Sequence, residues 1–227
     1  MSEPGGASAA FFDVDETLVS LRTLESFLLF YLKRVPSMVA PERLRELAQQ
    51  VTQLDRAEFN RLYFGLWAGQ PVEQVRAAGR DWYREVSAQP GFFRADVLQR
   101  LREHRAAGAR IVLVSGSFEA PLQPLADELA VDELFCTRLE IADGAYTGRI
   151  AAAMIGEDKR TAIGRYSAAH RPPVTRSWGY GDHPSDLPLL DGVTDPVVVG
   201  SDATMLEIAA ERSWPVLAGD QPLAPRA

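Results

Sequence analysis

Ala9-Ala10-Phe11-Phe12-Asp13-Val14-Asp15-Glu16-Thr17-Leu18-Val19 is the stretch that decides the fold. It begins as an apolar segment typical of a buried strand and runs directly into acidic residues. Side chains alternate along a strand, so Asp13 and Asp15 would point to the same side if the chain stays extended between them. Two carboxylates that close call for a metal ion, a shared proton, or both. An acidic turn without chemistry is the alternative, and the rest of the chain has to decide between them.

Length and composition bound the class of protein. A chain of 227 residues fits one large domain, or a core domain that carries a smaller one. Hydrophobic residues make up 46% of the chain and charged residues 24%, as in an ordinary globular protein. The 24 basic and 31 acidic residues give a formal net charge of −7. This balance argues against nucleic acid or an anionic membrane as the main partner.

The cysteine content and the first residues of the sequence bear on the cellular compartment of the protein. Cys136 is the single cysteine, so no intrachain disulfide can form, and a reducing compartment is expected. Its apolar surroundings predict a small buried residue rather than a nucleophile. No apolar run is long enough to span a bilayer, and residues 1–8 lack the features of a signal peptide. We therefore expect a cytoplasmic protein with a loose tail at residues 1–8.

A group of helices is predicted directly after the acidic stretch. Apolar residues recur at helical spacing from Leu21 to Val35, from Pro41 to Leu54, from Asp55 to Leu66 and from Pro71 to Val86. No convincing strand lies between them. Residues 21–90 are therefore predicted to form a helical cap domain, inserted into a core domain made of residues 9–20 and 91–227.

The remainder of the chain alternates between helices and strands. A helix ending before Gly108 precedes a strand over Arg110–Val114, and a second helix follows from about Phe118 to Leu129. Asp143-Gly144 predicts a hairpin turn. The remaining predicted elements are a helix over 158–169, strands over 177–180 and 196–199, and a helix over 203–211. This order predicts an α/β fold with a Rossmann-like, mostly parallel sheet and helices on both faces.

Polar residues follow three of the predicted strands. Asp13 and Asp15 follow the first, Ser115 and Gly116 the second, and Asp182 with Asp186 a third. Ligands of such sheets bind beyond the carboxyl ends of the strands, where these groups would meet. An acidic turn without chemistry would not predict this convergence.

The converging groups suit one kind of chemistry. Three carboxylates favour Mg²⁺, a hard cation that prefers oxygen ligands, and such sites commonly handle phosphate. One aspartate could attack phosphorus to form an aspartyl-phosphate, while a second protonates the leaving alkoxide and then activates water. Ser115 and the start of the following helix offer donors to phosphate oxygens, and Lys159 offers a balancing positive charge.

Four motifs in order carry a resemblance to a known family. They are Asp13-Val14-Asp15-Glu16-Thr17, Val114-Ser115-Gly116-Ser117, Lys159, and Gly181-Asp182-His183-Pro184-Ser185-Asp186. Together they resemble the haloacid dehalogenase (HAD) superfamily. The helical insert resembles the helical C1 cap of subfamily IB, and residues 115–150 resemble the phosphoserine-phosphatase-like branch. The resemblance covers roughly residues 9 to 217; each motif alone is weak, but the four in order are specific.

The resemblance implies roles for the acidic residues. Asp13 would be the nucleophile and a Mg²⁺ ligand. Asp15 would be the acid/base and would lend its backbone carbonyl to the metal, and Asp182 would be the third protein ligand. Dehalogenases lack the second aspartate and P-type ATPases have lysine there, so the presence of Asp15 favours phosphoester hydrolysis.

The resemblance also implies supporting roles. Asp186 and Ser185 would orient Asp182 or a metal-bound water. Ser115, Gly116 and Lys159 would bind the phosphate.

Substrate specificity is where the chain departs from phosphoserine phosphatases. By spacing, Arg22 occupies the position of the glutamate that binds the substrate ammonium, and Tyr63 falls near that of the arginine that binds its carboxylate. A cation at Arg22 would repel an ammonium, so we expect a different substrate with an anionic or hydroxyl-rich distal end. A solvated helix charge is the alternative for Arg22. His183, inside the fourth motif, is a further candidate for substrate contact, whereas His104 is predicted on the surface.

The sequence therefore predicts a Mg²⁺-dependent phosphomonoesterase that acts on a small phosphorylated metabolite through an aspartyl-phosphate, as a monomer or homodimer. Phosphotransfer to an alcohol and non-catalytic binding of a phosphometabolite are the alternatives. The chain has neither a Gly-x-Ser-x-Gly elbow nor a Walker-type loop, which argues against a serine hydrolase or an ordinary kinase.

Overall fold

A seven-stranded sheet forms the centre of the protein, in a computed structural model that describes residues 7–40, 42, 44–46 and 56–218. The strands are β1 Ala7–Phe12, β2 Arg110–Phe118, β3 Glu133–Ala142, β4 Ala145–Ala152, β5 Val174–Gly181, β6 Asp195–Val199 and β7 Val216–Leu217. Their spatial order is β4-β3-β2-β1-β5-β6-β7. All neighbours are parallel except β3 and β4, which form an antiparallel hairpin.

Helices precede and follow these strands. They are α1 Thr23–Arg34, α2 Arg56–Gly65, α3 Val72–Ser87, α4 Ala95–Ala106, α5 Glu119–Glu128, α6 Glu157–Ala169, α7 Leu187–Leu190 and α8 Ala203–Arg212. Short 3₁₀ turns span Pro36–Met38 and Pro184–Asp186. None of the helices in the described ranges has the length and apolar character needed to cross a membrane. The predicted α/β fold with a mostly parallel sheet is confirmed.

Strand β1 lies at the middle of the sheet and is buried on both faces. Phe12 packs in one hydrophobic core, with residues of β2, α4, α5 and the helical insert. Phe11 packs in a second core on the opposite face, with residues of α6, α7 and α8. Both phenylalanines are fully buried. The alternation of side chains along β1 therefore explains why its apolar run is continuous.

The helical insert shares the first of these cores. Phe27 of α1 stacks on Trp67 at a centroid distance of 5.3 Å, and Phe118 at the end of β2 lies 5.1 Å from Trp67. Backbone hydrogen bonds add a second connection, since Gly69 N–H donates to the carbonyl of Tyr146 on β4 over 2.8 Å. Trp67 and Trp82 are almost completely buried, which agrees with a packing role for both.

The chain enters and leaves the insert at adjacent points. Ser20 N–H donates to the carbonyl of Phe92 over 2.8 Å, and Arg94 N–H donates to that of Leu18 over 3.0 Å. The two ends of the insert are therefore hydrogen-bonded neighbours, and the core chain continues from one to the other. The boundaries at residues 21 and 90 stay a prediction.

Several elements differ from the expected boundaries. Strand β1 begins at Ala7, so Ala7 and Ser8 belong to the sheet rather than to a tail. Strand β2 continues to Phe118, because Phe118 pairs with Thr137 of β3 after an irregularity in the ladder. The short strand β7 follows the strand that was expected to be the last. The predicted tail before Ala7 and most of the helix predicted over residues 41–54 lie outside the described residues.

The prediction that His104 lies on the surface was wrong. Its ring is half-buried, 4.3 Å from the ring centroid of Trp178, and its Nε2 lies 2.7 Å from the hydroxyl of Tyr180. Burial lowers the pKa of the imidazole, which favours the neutral ring. The charged neighbours of His104 in sequence concealed its position at the end of α4, facing β5.

Gly79 lies at a close contact between helix α3 of the insert and helix α5 of the core. A Cβ atom at this position of α3 would overlap the backbone carbonyl of Ala120 on α5. We expect Gly79→Ala to lower the free energy of unfolding by about 1–3 kcal/mol in urea titrations. Gly164→Ala is the matched control, because a Cβ there meets nothing within 4 Å in helix α6, and it should stabilise by about 0.5–1 kcal/mol. Equal effects of the two substitutions would contradict close packing at Gly79.

Candidate active site

The first site loop begins where β1 ends. Asp13 N–H donates to the carbonyl of Tyr180 on β5 over 3.0 Å, which continues the strand pairing by one residue. The carbonyl of Val14 then accepts from the N–H groups of Leu18 and Val19, at 3.0 Å each, and closes a tight turn. The side chain of Asp13 is only 8% exposed. The turn therefore fixes a buried carboxylate at the carboxyl edge of the sheet.

The second site loop follows β5 and carries Asp182 and Asp186. Thr17 of the first loop donates its hydroxyl hydrogen to Oδ1 of Asp182 over 2.6 Å. Oδ2 of Asp186 accepts from His183 N–H over 3.2 Å. A Cβ at Gly181 would lie 2.6 Å from that of Asp186, so only glycine lets Asp186 approach the strand so closely. These contacts hold the two loops against each other.

Lys159 joins the two loops through its ammonium group. Its Nζ lies 2.6 Å from Oδ1 of Asp13 and 2.6 Å from Oδ1 of Asp186. The lysine is 3% exposed and projects from the first turn of α6. A buried ammonium requires such partners, because an isolated charge in the interior is strongly disfavoured. Lys159 is thus the central cation of the site.

Burial and like charge set the protonation of these groups. Burial, followed by the charge of Asp186, holds the pKa of Asp13 well above its usual value. Burial raises the pKa of Asp182 to about 6, although the hydrogen bond from Thr17 opposes the change. Burial alone would lower the pKa of Lys159, but the charges of Asp13 and Asp186 outweigh it and raise the pKa. The site therefore has an excess of negative charge that favours a further cation.

The carboxylates fit a divalent metal. One oxygen each from Asp13, Asp182 and Asp186 can be chosen so that all three lie within 4.8 Å of one another. Oxygen ligands in an electronegative, largely buried site are what Mg²⁺ prefers. The sequence-predicted ligands were Asp13, Asp15 and Asp182, whereas the group of neighbouring carboxylates consists of Asp13, Asp182 and Asp186. Oδ1 of Asp186 already bonds to Lys159. Asp15, expected to contribute its backbone carbonyl, lies two residues beyond Asp13 and is partly exposed.

The predicted phosphate-binding residues lie at the same edge. Ser115 is 1% exposed, and its Oγ accepts a hydrogen bond from Ser117 N–H over 3.1 Å. The carbonyl of Gly116 accepts from the hydroxyl of Thr137 over 2.9 Å, which fixes the backbone at this point. Both residues lie within β2 rather than after it. The helix expected to offer its amino end therefore starts only at Glu119, past the motif.

Arg22 and Tyr63, the predicted specificity residues, each bond to another residue of the chain. The Arg22 Nε lies 2.6 Å from Oε2 of Glu16, and the arginine side chain is 66% exposed. The Tyr63 hydroxyl donates to the carbonyl of Leu24 over 2.7 Å, in a residue that is 1% exposed. Burial raises the pKa of Tyr63, so its hydroxyl stays protonated.

His183 and Ser185 form a local turn. Nδ1 of His183 lies 3.0 Å from Oγ of Ser185 and accepts from Ser185 N–H over 3.1 Å. Together with the bond from His183 N–H to Asp186, these contacts form a capping box on the 3₁₀ turn. His183 therefore shapes the loop that presents Asp182 and Asp186.

Thr17 is the site residue for which sequence reasoning assigned no role. It was quoted as part of the first motif, but only the folded chain shows its contact with Asp182, 165 residues away. The one feature of the sequence that could have indicated a role for Thr17 is its position within the first motif.

The Cys136 thiol, in contrast, has the properties of an inert residue. It lies on β3, and burial raises its pKa to about 12. A thiol that stays protonated at neutral pH is a poor nucleophile, which agrees with the packing role expected from the sequence.

Comparison with known proteins identifies the class to which this fold and site belong. The family model of haloacid dehalogenase-like hydrolases matches residues 10–191. The chain belongs to this family, as its four ordered motifs predicted. It is therefore a hydrolase, and the names of its relatives support a phosphatase.

Individual relatives and solved structures show what the chain is similar to. The chain is 28% identical to a histidinol-phosphatase of Neisseria meningitidis, over 92% of this chain and 97% of the relative. It is 26% identical to a phosphoserine phosphatase of Mycobacterium tuberculosis, over 92% of this chain and 70% of the relative. A substrate-bound phosphoserine phosphatase structure is 17% identical, with a TM-score of 0.67 over 97% of this chain and 96% of that one. This last likeness shows a shared fold, in agreement with the expected phosphoserine-phosphatase-like branch.

Proposed function

We propose that the protein is a Mg²⁺-dependent phosphomonoesterase that hydrolyses a small phosphorylated metabolite through an aspartyl-phosphate on Asp13. The observation that carries this proposal is the contact of the buried Asp13 carboxylate with Lys159, beside Asp182 and Asp186, at the carboxyl edge of a HAD-type sheet. A carboxylate held in place by a buried lysine is positioned for attack on a phosphorus atom beyond that edge.

Asp13 and Asp15 would divide the chemistry between them. The free carboxylate oxygen of Asp13 would attack phosphorus, and the bond to the leaving alkoxide would break as Asp15 gives it a proton. Asp15 would then remove a proton from the water that cleaves the aspartyl-phosphate. Its position two residues beyond Asp13, in the same turn, supports this role.

Lys159, Ser115 and Gly116 would bind the phosphate. An ammonium group has three donors, and Asp13 and Asp186 account for two of them, so the third can reach a phosphate oxygen. The Ser115 hydroxyl accepts from Ser117 N–H and can donate its own hydrogen to a second oxygen. Positive charge and donors placed in advance lower the barrier to phosphoryl transfer.

The carboxylates of Asp13 and Asp182 and the backbone carbonyl of Asp15 would hold Mg²⁺. When bound, the ion supplies positive charge that polarises the phosphoryl group. Asp186 and Ser185 would keep Asp182 oriented through the second site loop. Thr17, which donates to Asp182, would do the same from the first.

Two alternatives remain distinguishable by products. Phosphotransfer would give a new phosphate ester when alcohols are added, whereas hydrolysis gives inorganic phosphate. A non-catalytic binder would retain phosphate esters without turnover, but Asp13 beside Lys159 favours catalysis. The cytoplasmic location expected from the single cysteine is part of this proposal, as is a small soluble substrate.

Metal removal tests the proposal most directly. We expect release of p-nitrophenol from p-nitrophenyl phosphate in Mg²⁺, a loss of more than about 100-fold after dialysis against EDTA, and recovery when Mg²⁺ is restored. EDTA that is already saturated with Mg²⁺ is the control and should have no effect. Full activity in metal-free buffer would contradict a Mg²⁺-dependent enzyme.

A further inference from the structure

The helical insert pairs with the edge of the sheet through its backbone, in the middle of its own sequence. Residues 69–72 run antiparallel to residues 144–146, where the hairpin enters β4. Three backbone N–H groups donate across this pairing: Gly69 to the carbonyl of Tyr146 over 2.8 Å, Tyr146 to that of Gln70 over 3.0 Å, and Val72 to that of Gly144 over 3.0 Å. We call this pairing the clamp and define it by residues 69–72 and 144–146. The clamp extends the sheet beyond its edge strand.

Two glycines bring the insert and the core into close contact. A Cβ at Gly148 of β4 would lie 2.9 Å from the Cβ of Ala68 and 3.2 Å from the carbonyl oxygen of Gly65, which ends α2. Gly79 of α3 approaches the carbonyl of Ala120 in the same way. The insert and the core therefore pack here as closely as parts of one domain do.

The interface between the insert and the sheet also has the composition of a hydrophobic core. Phe27 and Trp67 of the insert lie 5.8 and 5.1 Å from Phe118 of β2, and each of the three residues is at most 1% exposed. They belong to the same core as Phe12 of β1. Domains that move against each other usually meet at more polar interfaces. Moving the insert off the sheet would expose these rings to water, which is unfavourable in proportion to the apolar area exposed.

We infer that the insert stays fixed on the sheet throughout the catalytic cycle, so that phosphate esters enter and leave the site without the insert opening. This inference rests on the proposed phosphatase function and concerns access to the same site. Many enzymes close a lid over the substrate and open it again in each turnover. Here, each opening would break the hydrogen bonds of the clamp and uncover the aromatic rings. The site is therefore preformed, and it selects substrates by their fit to a fixed space rather than by closure.

A disulfide across the clamp tests this inference. Pro71 and Ala145 face each other between two hydrogen bonds of the clamp, and neither residue is buried. Antiparallel pairs of this kind have Cα atoms about 4.5 Å apart, a distance that a disulfide can span. We expect Pro71→Cys with Ala145→Cys, in a Cys136→Ala background, to form this disulfide on oxidation. Its kcat and kcat/KM for p-nitrophenyl phosphate in Mg²⁺ should stay within about twofold of the values measured after reduction with dithiothreitol.

Cys136→Ala without the added cysteines is the control, and the same oxidation should leave its activity unchanged. A larger loss in the disulfide-linked protein, restored by reduction, would show that the insert must open and would overturn the inference. Failure of the disulfide to form would also overturn it, because a fixed clamp holds the two cysteines within bonding distance.

Hydrogen exchange of the wild-type protein supplies a second measurement. An open state with a population of about 0.1–10% would limit the protection of amides in the clamp to about 10- to 1,000-fold. We expect the amides of Gly69, Val72 and Tyr146 to be protected more than about 1,000-fold, and weaker protection of all three would overturn the inference. This measurement needs no turnover. Absence of p-nitrophenyl phosphate turnover by the wild type in Mg²⁺ would therefore overturn the proposed function and leave the exchange result standing.

Discussion

Asp13→Asn should lower kcat for p-nitrophenyl phosphate by at least about 1,000-fold, because an amide oxygen cannot replace the attacking carboxylate. The substitution preserves the shape of the side chain and removes a charge that the site holds unfavourably, since burial keeps the pKa of Asp13 well above its usual value. Because Asp186 still pairs with Lys159 in the variant, it should be at least as stable as the wild type in urea titrations without metal. Loss of activity together with retained stability assigns the effect to chemistry rather than to folding.

Asp191→Asn provides the control for Asp13→Asn. Asp191 pairs with Arg212 through a partly exposed carboxylate in the loop after α7, so the same chemical change there should leave kcat unaltered. An Asp13→Asn protein as active as the wild type would contradict the aspartyl-phosphate mechanism.

Lys159→Met should produce the largest loss of stability. It leaves the carboxylates of Asp13 and Asp186 buried without their shared cation, and breaking a buried ion pair costs about 3–5 kcal/mol of unfolding free energy. Urea titrations in EDTA would measure this directly. Lys33→Met, at an exposed position of α1, should change the unfolding free energy by less than about 0.5 kcal/mol.

The stability of Lys159→Met should also depend on pH in a defined direction. Burial already holds the pKa values of Asp13 and Asp182 above their usual values, and removing the cation raises that of Asp13 further. A carboxyl with a raised pKa in the folded state favours folding at low pH and loses that contribution as pH rises through the folded pKa. The deficit of the variant should therefore shrink as metal-free buffer is taken from pH 7 to pH 5. A deficit that grows over this range would contradict the role of Lys159 as the shared cation.

The edge of the sheet that carries the candidate site could be predicted from the sequence, because its position depends on local patterns. The apolar runs before Asp13 and Asp182 mark buried parallel strands, and the structure ends β1 at Phe12 and β5 at Gly181. The end of β2 was harder to predict. Ser115 and Gly116 are typical turn residues, yet the strand continues through them to Phe118, because pairing with β3 outweighs local preference.

The bonding partners of the site residues could not be predicted, because these contacts join residues that are distant in the sequence. Nothing near Lys159 in the chain predicts that it bridges Asp13 and Asp186, 146 and 27 residues away. The same holds for Thr17 with Asp182 and for the ion pair that turns Arg22 toward Glu16. Residue type indicated which side chains take part, whereas their partners depend on how the two site loops meet.

The aromatic packing between the insert and the sheet has a consequence for exchanging parts between relatives. The chain crosses into and out of the insert at neighbouring points, so a chimera that swaps residues 21–90 requires only two junctions. Phe118 and Tyr146, however, belong to the sheet and pack 6.2 Å apart in the same hydrophobic core as Phe27 and Trp67. The side chains of an insert taken from a relative would not pack closely against these two rings. A transplant intended to change substrate range should therefore carry its own residues for positions 118 and 146, and chimeras that omit them should fold poorly.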